Sequence, residues 1–147
     1  PILDDYDIVL VDCPPNLGII TLNGLRISEG YIIPTVPDVL STYGIPQIVA
    51  RVSNFSKEVG EDIEPLGIVI TKYQEASTIH VNGSRDLRRR NDPLVFDTVI
   101  KQANQIAAAA EFQGERRTLK QKYGYGEGLA TRYIELAKEL LTRLDME

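Results

Sequence analysis

Hydrophobic positions along this chain fall into short solid blocks separated by stretches of helical spacing. Ile8, Val9, Leu10 and Val11 form an apolar run with no polar alternation, which is the pattern of a strand covered on both faces. Pro14 and Pro15 then force the chain to turn. Residues 31–36 repeat the block, broken by Pro34 and closed by Pro37, and residues 66–71 repeat it again behind Pro65. Residues 95–100 predict a fourth short strand. Between the blocks the period changes. Residues 17–28 predict a short helix stopped at Gly30. Ile45, Ile48, Val49, Val52, Phe55 and Val59 form the stripe of a helix that Ser41 or Thr42 caps, with Pro46 in its first turn and Gly60 at its end. Residues 77–90 predict a helix weakened by Asn82-Gly83, residues 106–112 an Ala-rich helix ended by Gly114, and residues 115–128 a basic loop. Residues 127–146 are the clearest helix, striped by Leu129, Tyr133, Leu136, Ala137, Leu140, Leu141 and Leu144. Strands alternating with helices in this way predict an α/β fold: a parallel sheet with helices on both faces, in a Rossmann-like three-layer arrangement. No internal repeat or linker divides residues 1–147.

Composition narrows the class. A length of 147 residues suits one core, and no apolar run approaches the roughly 18 residues that span a membrane, so a soluble chain is expected. No secretory signal opens it, and a single cysteine, Cys13, excludes an internal disulfide framework; both agree with a cytoplasmic setting. One cysteine and one histidine also make a zinc site from nitrogen and sulfur ligands unpromising. A net charge of -5 argues against broad wrapping by nucleic acid but leaves room for a local basic patch.

Asp12 is the first candidate for chemistry. A carboxylate at the carboxyl end of a buried strand can hold Mg²⁺ through water or orient a water at a phosphate, the role of a Walker B aspartate. Asp is also common as a plain turn residue, and the strand–Asp–turn pattern alone leaves both readings open.

The full run YDIVLVDCPPNLG (6–18) resembles the switch segment of the ParA/MinD family of deviant-Walker ATPases, which reads roughly four hydrophobics, Asp, any residue, Pro-Pro, any residue, Leu-Gly. TLNGLRISEGYIIPTVPD (21–38) resembles the family's next helix and strand, and LGIVITK (66–72) the strand after that. FDTVIKQANQIAAAAEFQG (96–114) resembles its Thr-Val-Ile-Pro segment, and YIELAKELL (133–141) its C-terminal helix. The resemblance implies a P-loop NTPase-like fold that binds ATP or ADP with Mg²⁺, forms an ATP-dependent homodimer, and positions DNA or other cargo, with a ParB-like partner stimulating hydrolysis. Carried onto this chain, Asp12 becomes the Mg²⁺-organising, catalytic carboxylate. Cys13, Pro14, Pro15 and Gly18 belong to the switch that feels the γ-phosphate. Thr71 and Lys72 end a strand near the nucleotide base, and Lys101 and Gln102 fall in the second base-contacting loop.

The family's phosphate loop, Lys-Gly-Gly-x-Gly-Lys-Thr/Ser, does not occur in these residues. The chain is therefore expected to be the C-terminal portion of a single ParA-like ATPase domain. By itself it is expected neither to bind ATP tightly nor to hydrolyse it, and residues 8–11 are expected to lack a neighbouring strand.

Other departures bear on partners. Lys101 stands where the family has proline, and Ala76 and Gln105 fall where DNA-binding relatives place arginines. The densest basic cluster, Arg85, Arg88, Arg89 and Arg90, serves either as a contact for nonspecific DNA or as a solvated helix end. Arg116, Arg117, Lys120 and Lys122, with Tyr123 and Tyr125, form a second basic stretch that reads as a surface loop. Gly124, Gly126 and Gly128 do not follow a strand and do not match a phosphate-cradling spacing, and His80 reads as a helix-surface residue. The acidic end at Asp145 and Glu147 argues against the membrane-targeting helix of MinD-like relatives and for a helix docked on the sheet. Two classes of function remain: a cytoplasmic, nucleoid-associated partition ATPase, and a catalytically degenerate relative that serves as a protein-binding module.

Overall fold

The computed structural model describes residues 5–109, 118, 121–122 and 128–146. It contains α1 (Ile19–Arg26), β1 (Gly30–Thr35), α2 (Val39–Val59), β2 (Glu64–Ile70), α3 (Thr78–Arg90), α4 (Asn104–Ala108) and a closing helix, α5 (Leu129–Arg143). β1 and β2 pair in parallel from Gly30 opposite Glu64 to Thr35 opposite Ile70, with one register shift between Tyr31 and Ile32. Residues 95–101 run parallel along the other side of β2 through pairings of Ile68 with Val95 and Tyr73 with Lys101.

Adjacent β2 residues point to opposite faces, and this builds three layers. Ile68 and Ile70 join Ile33, Ile45, Leu87 and Val95 in a core beneath α2 and α3. Val69, Phe96 and Ile100 form the opposite core, covered by Tyr133, Leu136 and Leu140 of α5. A third cluster, Leu25, Val52 and Ile63, joins α1 to α2. The α5 stripe is thus used against the sheet, as its sequence implies.

Local chemistry explains where the elements start and stop. The Asp38 side chain accepts from the Ser41 amide at 2.7 Å, so α2 begins earlier than a Ser41 or Thr42 cap implies. Pro46 consequently lies inside α2 rather than in its first turn. That amide lowers the Asp38 pKa below the usual carboxylate range, outweighing partial burial. Gly60 closes α2 in the left-handed conformation, as expected. Pro34 does not break β1: the Thr71 amide bonds to the Thr35 carbonyl, so Thr35 faces β2 and its neighbour Pro34 faces away, where a missing N–H costs nothing. Ser77 caps α3. The Asn82-Gly83 pair inside α3 has a packing cause, since a Cβ on Gly83 would collide with the Pro37 carbonyl oxygen. Helix α1 ends at Arg26, and Gly30 opens β1 rather than stopping the helix.

The largest correction is at residues 7–11, which form no strand here. No described strand lies beside them to supply ladder partners, and Val9, Leu10 and Val11 are 51%, 77% and 47% exposed. Exposed apolar residues continue onto Ile19 and Ile20 of α1 and Val39, Leu40 and Tyr43 of α2. The expected end of the Ala-rich helix at Gly114 and nearly all of the basic loop at 115–128 lie outside the described residues.

Residues 95–101 also depart from a regular strand. Ile68 donates to the Leu94 carbonyl and accepts from the Phe96 amide, and the next bond to β2 runs from the Ile100 amide to the Ile70 carbonyl at 2.9 Å. A regular parallel ladder would use the Thr98 amide there. Two extra residues are therefore looped out, and their amides are taken by α5: Asp97 N and Thr98 N donate to the two Glu139 carboxylate oxygens at 2.6 and 3.0 Å. Burial opposes ionisation of Glu139, but the Thr98 and Asp97 amides, the Thr98 hydroxyl and the Arg143 guanidinium outweigh it and hold its pKa below the usual value.

Arg143 completes the lashing. It donates to the Leu66 carbonyl at 2.7 Å and the Val95 carbonyl at 3.1 Å, pairs with Glu139 at 3.2 Å, and lies 3.8 Å over the centre of the Phe96 ring. Gly67, at φ +142, leaves room for it: a Cβ there would collide with the guanidinium.

Candidate functional site

Two groups of sequence-predicted residues are built in different ways. The first is the turn after the 8–11 run. Asn16 organises it, its amide donating to the Pro14 carbonyl at 2.7 Å and its side chain accepting from the Gly18 amide at 3.0 Å. Helix α1 begins directly after Gly18, and Thr21 reaches back to the Pro14 carbonyl at 3.4 Å. Cys13 is half-buried against α1, close enough that a Cβ on Gly24 would lie 3.1 Å from its sulfur. Pro14 and Pro15 stiffen the exposed part of the turn, so Asp12 presents an exposed carboxylate at the mouth of a loop tied down on its far side.

A hard cation fits this donor. Mg²⁺ takes one or two carboxylates and fills its remaining positions with water and phosphate oxygens. Asp12 can supply that single carboxylate, directly or through water. Among the described residues no group of three or more His, Cys, Asp or Glu forms a cage made by protein alone.

The second group lies where the chain leaves β2 and residues 95–101. Just past the end of β2, Lys72, at φ 49, takes up one extra residue, and Tyr73 rejoins the neighbouring segment through bonds to Ile100 and Gln102. Thr71 is held to β1 by its amide and hydroxyl, both donating to the Thr35 carbonyl. The Gln74 side chain donates to the Gln102 side chain, and Lys101 pairs with Glu75 at 2.8 Å. The structure therefore brings Thr71, Lys72, Lys101 and Gln102 together at one sheet edge. Beside them Gln74, Gln102, Ala103, Asn104 and Gln105 line an open groove of about 450 Å³ whose walls are mostly amides, able to donate and accept at once. His80, half-buried, accepts from the Gln74 amide at 3.1 Å and so supports this loop. The hydrogen bonds of the Asp12 turn run within itself and to α1, and among the described residues none joins it to this groove.

Residues that sequence reading missed are Gln74, Glu75 and Glu139. Glu75 carried no signal: it and Lys101 are exposed and 26 positions apart, and only the fold brings their loops together. Glu139 and Arg143 had the helical spacing of an i,i+4 ion pair.

The arginine cluster is divided by the fold. Arg88 turns inward, donating to the Phe96 carbonyl at 3.0 Å and meeting Asp97 at 3.4 Å. Arg89 pairs with Asp86 at 2.9 Å on the surface, Arg85 reaches Asn82 at 3.4 Å, and Arg90 is exposed. The C-terminal half of α3 thus presents Arg85, Arg89 and Arg90 outward.

Known proteins resemble the chain in sequence and in fold. A family model described as an AAA domain matches residues 1–65. The chain is 32% identical to an uncharacterized protein of Pseudomonas putida over 97% of its own length and 53% of that protein. It is 29% identical to the chromosome-partitioning ATPase Soj of Thermus thermophilus over 96% of its own length and 55% of Soj. Its fold matches cobyrinic acid a,c-diamide synthase of Mycobacterium smegmatis, solved with a bound ATP analogue and magnesium, with a TM-score of 0.73 at 26% identity, covering 97% of this chain and 51% of the synthase. The chain spans about half the length of the curated relatives it matches.

Proposed function

We infer that this chain, ParA-like in sequence and P-loop NTPase-like in fold, is the C-terminal portion of a partition-type ATPase domain. One observation carries the reading: an exposed aspartate closes an apolar run and is followed by a proline-stiffened turn hinged on α1. In this role Asp12 holds Mg²⁺ through water, and the turn of Cys13, Pro14, Pro15 and Gly18 passes the presence of a γ-phosphate on to α1. Thr71, Lys72, Lys101 and Gln102 border the base of ATP or ADP. The exposed Val9, Leu10 and Val11 pack against a phosphate-loop portion, and the nucleotide-loaded domain pairs with a second copy of itself. A magnesium ion, when bound, supplies charge neutralisation at the phosphates.

The test compares two proteins under the same Mg²⁺ and ATP. The full-length protein that carries this chain should bind and hydrolyse ATP slowly, whereas residues 1–147 alone should do neither. Hydrolysis by the isolated 147-residue chain would remove the need for a separate phosphate loop, and no nucleotide binding by the full-length protein would favour the protein-binding module.

The surface on which such a dimer works is proposed to be nonspecific DNA rather than a membrane, consistent with a cytoplasmic, nucleoid-associated protein that a ParB-like partner stimulates. Among the described residues no helix is long and apolar enough to cross a membrane, and the α5 stripe is occupied by the sheet. The outward arginines are the assigned contacts. Replacing Arg85, Arg89 and Arg90 together by Ala should weaken ATP-dependent DNA binding and reduce the slope of log K against log salt by about one for each phosphate no longer neutralised. Unchanged affinity and slope in a gel-shift or anisotropy titration would move the DNA surface elsewhere. Arg88 is left out of that variant because it holds the Phe96 carbonyl.

A further inference from the structure

We propose that Glu139 is a positioning residue that sets the register of the base-bordering loop at Lys101 and Gln102. The inference rests on the nucleotide reading above and deepens it.

Between Phe96 and Ile100 the chain uses four steps where β2, from Ile68 to Ile70, uses two. The excess is stable only if the Asp97 and Thr98 amides have acceptors, and both are met by the one carboxylate of Glu139. Without that acceptor a competing pairing becomes available: Thr98 N can take the Ile70 carbonyl that Ile100 N now holds. A slip of two residues keeps every side chain on its own face, because the strand period is two. Phe96, Thr98 and Ile100 are all buried and lie at even positions, so a slip of one is forbidden by the core and a slip of two is not.

The slip would carry Lys101 and Gln102 about 6–7 Å along the strand direction relative to Tyr73, at about 3.3 Å per residue. It would break the Gln102 N to Tyr73 O bond, the Lys101–Glu75 pair and the Gln74–Gln102 amide contact together. The groove lined by Gln74, Gln102, Ala103, Asn104 and Gln105 depends on those same contacts. A residue of α5 on the far side of the residue 95–101 segment thus decides whether the amide groove exists. The Asp12 turn shares no hydrogen bond with this element among the described residues, so the phosphate end of the site is unaffected.

The experiment measures ATP and GTP affinity of the full-length protein with Mg²⁺, for wild type, Glu139→Gln and Leu136→Ala. Gln keeps the size of Glu but turns a donor toward one of the two amides. Glu139→Gln should weaken ATP by about tenfold or more while leaving GTP, bound by its phosphates alone, nearly unchanged. Leu136→Ala removes packing from the same helix and should lower the melting temperature while preserving the ATP-to-GTP ratio. A wild type without base preference overturns the nucleotide-base reading. A wild type with preference and a Glu139→Gln variant that keeps it overturns the positioning role. Hydrogen exchange on the unmodified protein needs no variant: the Thr98 amide should be protected to about the same degree as that of Ile100, and fast exchange at Thr98 sinks the inference.

Discussion

Asp12→Ala in the full-length protein should lose Mg²⁺-dependent ATP hydrolysis by about 10- to 100-fold, the usual cost of removing a group that holds a metal through its outer shell. The loss should come with little change in stability. Asp12 is exposed at the mouth of its turn, and the bonds that hold the turn belong to Asn16, Gly18 and Thr21. Exposed substitutions away from caps and networks usually fall within about 0.5 kcal/mol. The pairing of a large catalytic effect with a small stability effect separates a metal-organising carboxylate from a turn-former. A turn-former would show the reverse, with a lowered melting temperature and a normal rate at low temperature. Asp12→Asn refines the comparison, since it keeps the shape and turn propensity and removes the charge. Hydrolysis by Asp12→Ala at the wild-type rate would end the Walker B assignment.

Arg143→Ala should destabilise the fold by about 3 kcal/mol, a large share of the roughly 5–15 kcal/mol that holds a domain of this size. The variant removes donors from the Leu66 and Val95 carbonyls, uncovers the Phe96 face, and leaves Glu139 without its cation. Arg143→Lys should recover only part of this, because one ammonium cannot serve two carbonyls on different segments and a carboxylate at once. Urea unfolding of the 147-residue chain measures both. The same network sets an acid limb. Glu139 has a folded-state pKa below its ordinary value, so its contribution is present above that ordinary value and disappears as the pH falls through the folded pKa. The charged group facing it is Arg143 on its own helix; the Asp97 and Thr98 amides and the Thr98 hydroxyl complete its surroundings. Glu139→Gln should therefore flatten the fall in stability below about pH 4.5, and an acid limb identical to wild type would assign the proton uptake elsewhere.

Most elements were legible because their signals are local. The α2 and α5 stripes and the Gly60 stop are read from spacing and helix-ending chemistry, and all three stand in the structure. The misreadings have two kinds of cause: partners that are missing or distant in sequence, and one competing local cap. Residues 7–11 carry a strand's composition, but a strand needs a neighbour, and none is present among the described residues. Pro46 reads as a first-turn residue only if Ser41 or Thr42 caps; Asp38 offers its carboxylate to the Ser41 amide and moves the boundary. The two-residue excess at Asp97 and Thr98 is invisible in sequence because the acceptor that permits it, Glu139, lies 42 and 41 positions away. The site divides in the same way. Asp12 stood out because its motif is contiguous, whereas the amide groove is assembled from two loops that only the pairing of Tyr73 with Lys101 brings together.

The bond from Arg143 to the Leu66 carbonyl joins residues 77 positions apart, and this has a consequence for synthesis. At about 5–20 residues per second, a ribosome needs about 4–15 s to pass from one partner to the other. Throughout that interval β2 can pair with β1, but the face that α5 covers, with Phe96 and Ile100, is open to other chains. The nascent protein is therefore most exposed to sticking or to chaperone capture after residue 100 has emerged and before residue 143 has. A slow codon cluster placed in that window should lower the soluble yield more than the same cluster placed between α1 and β1.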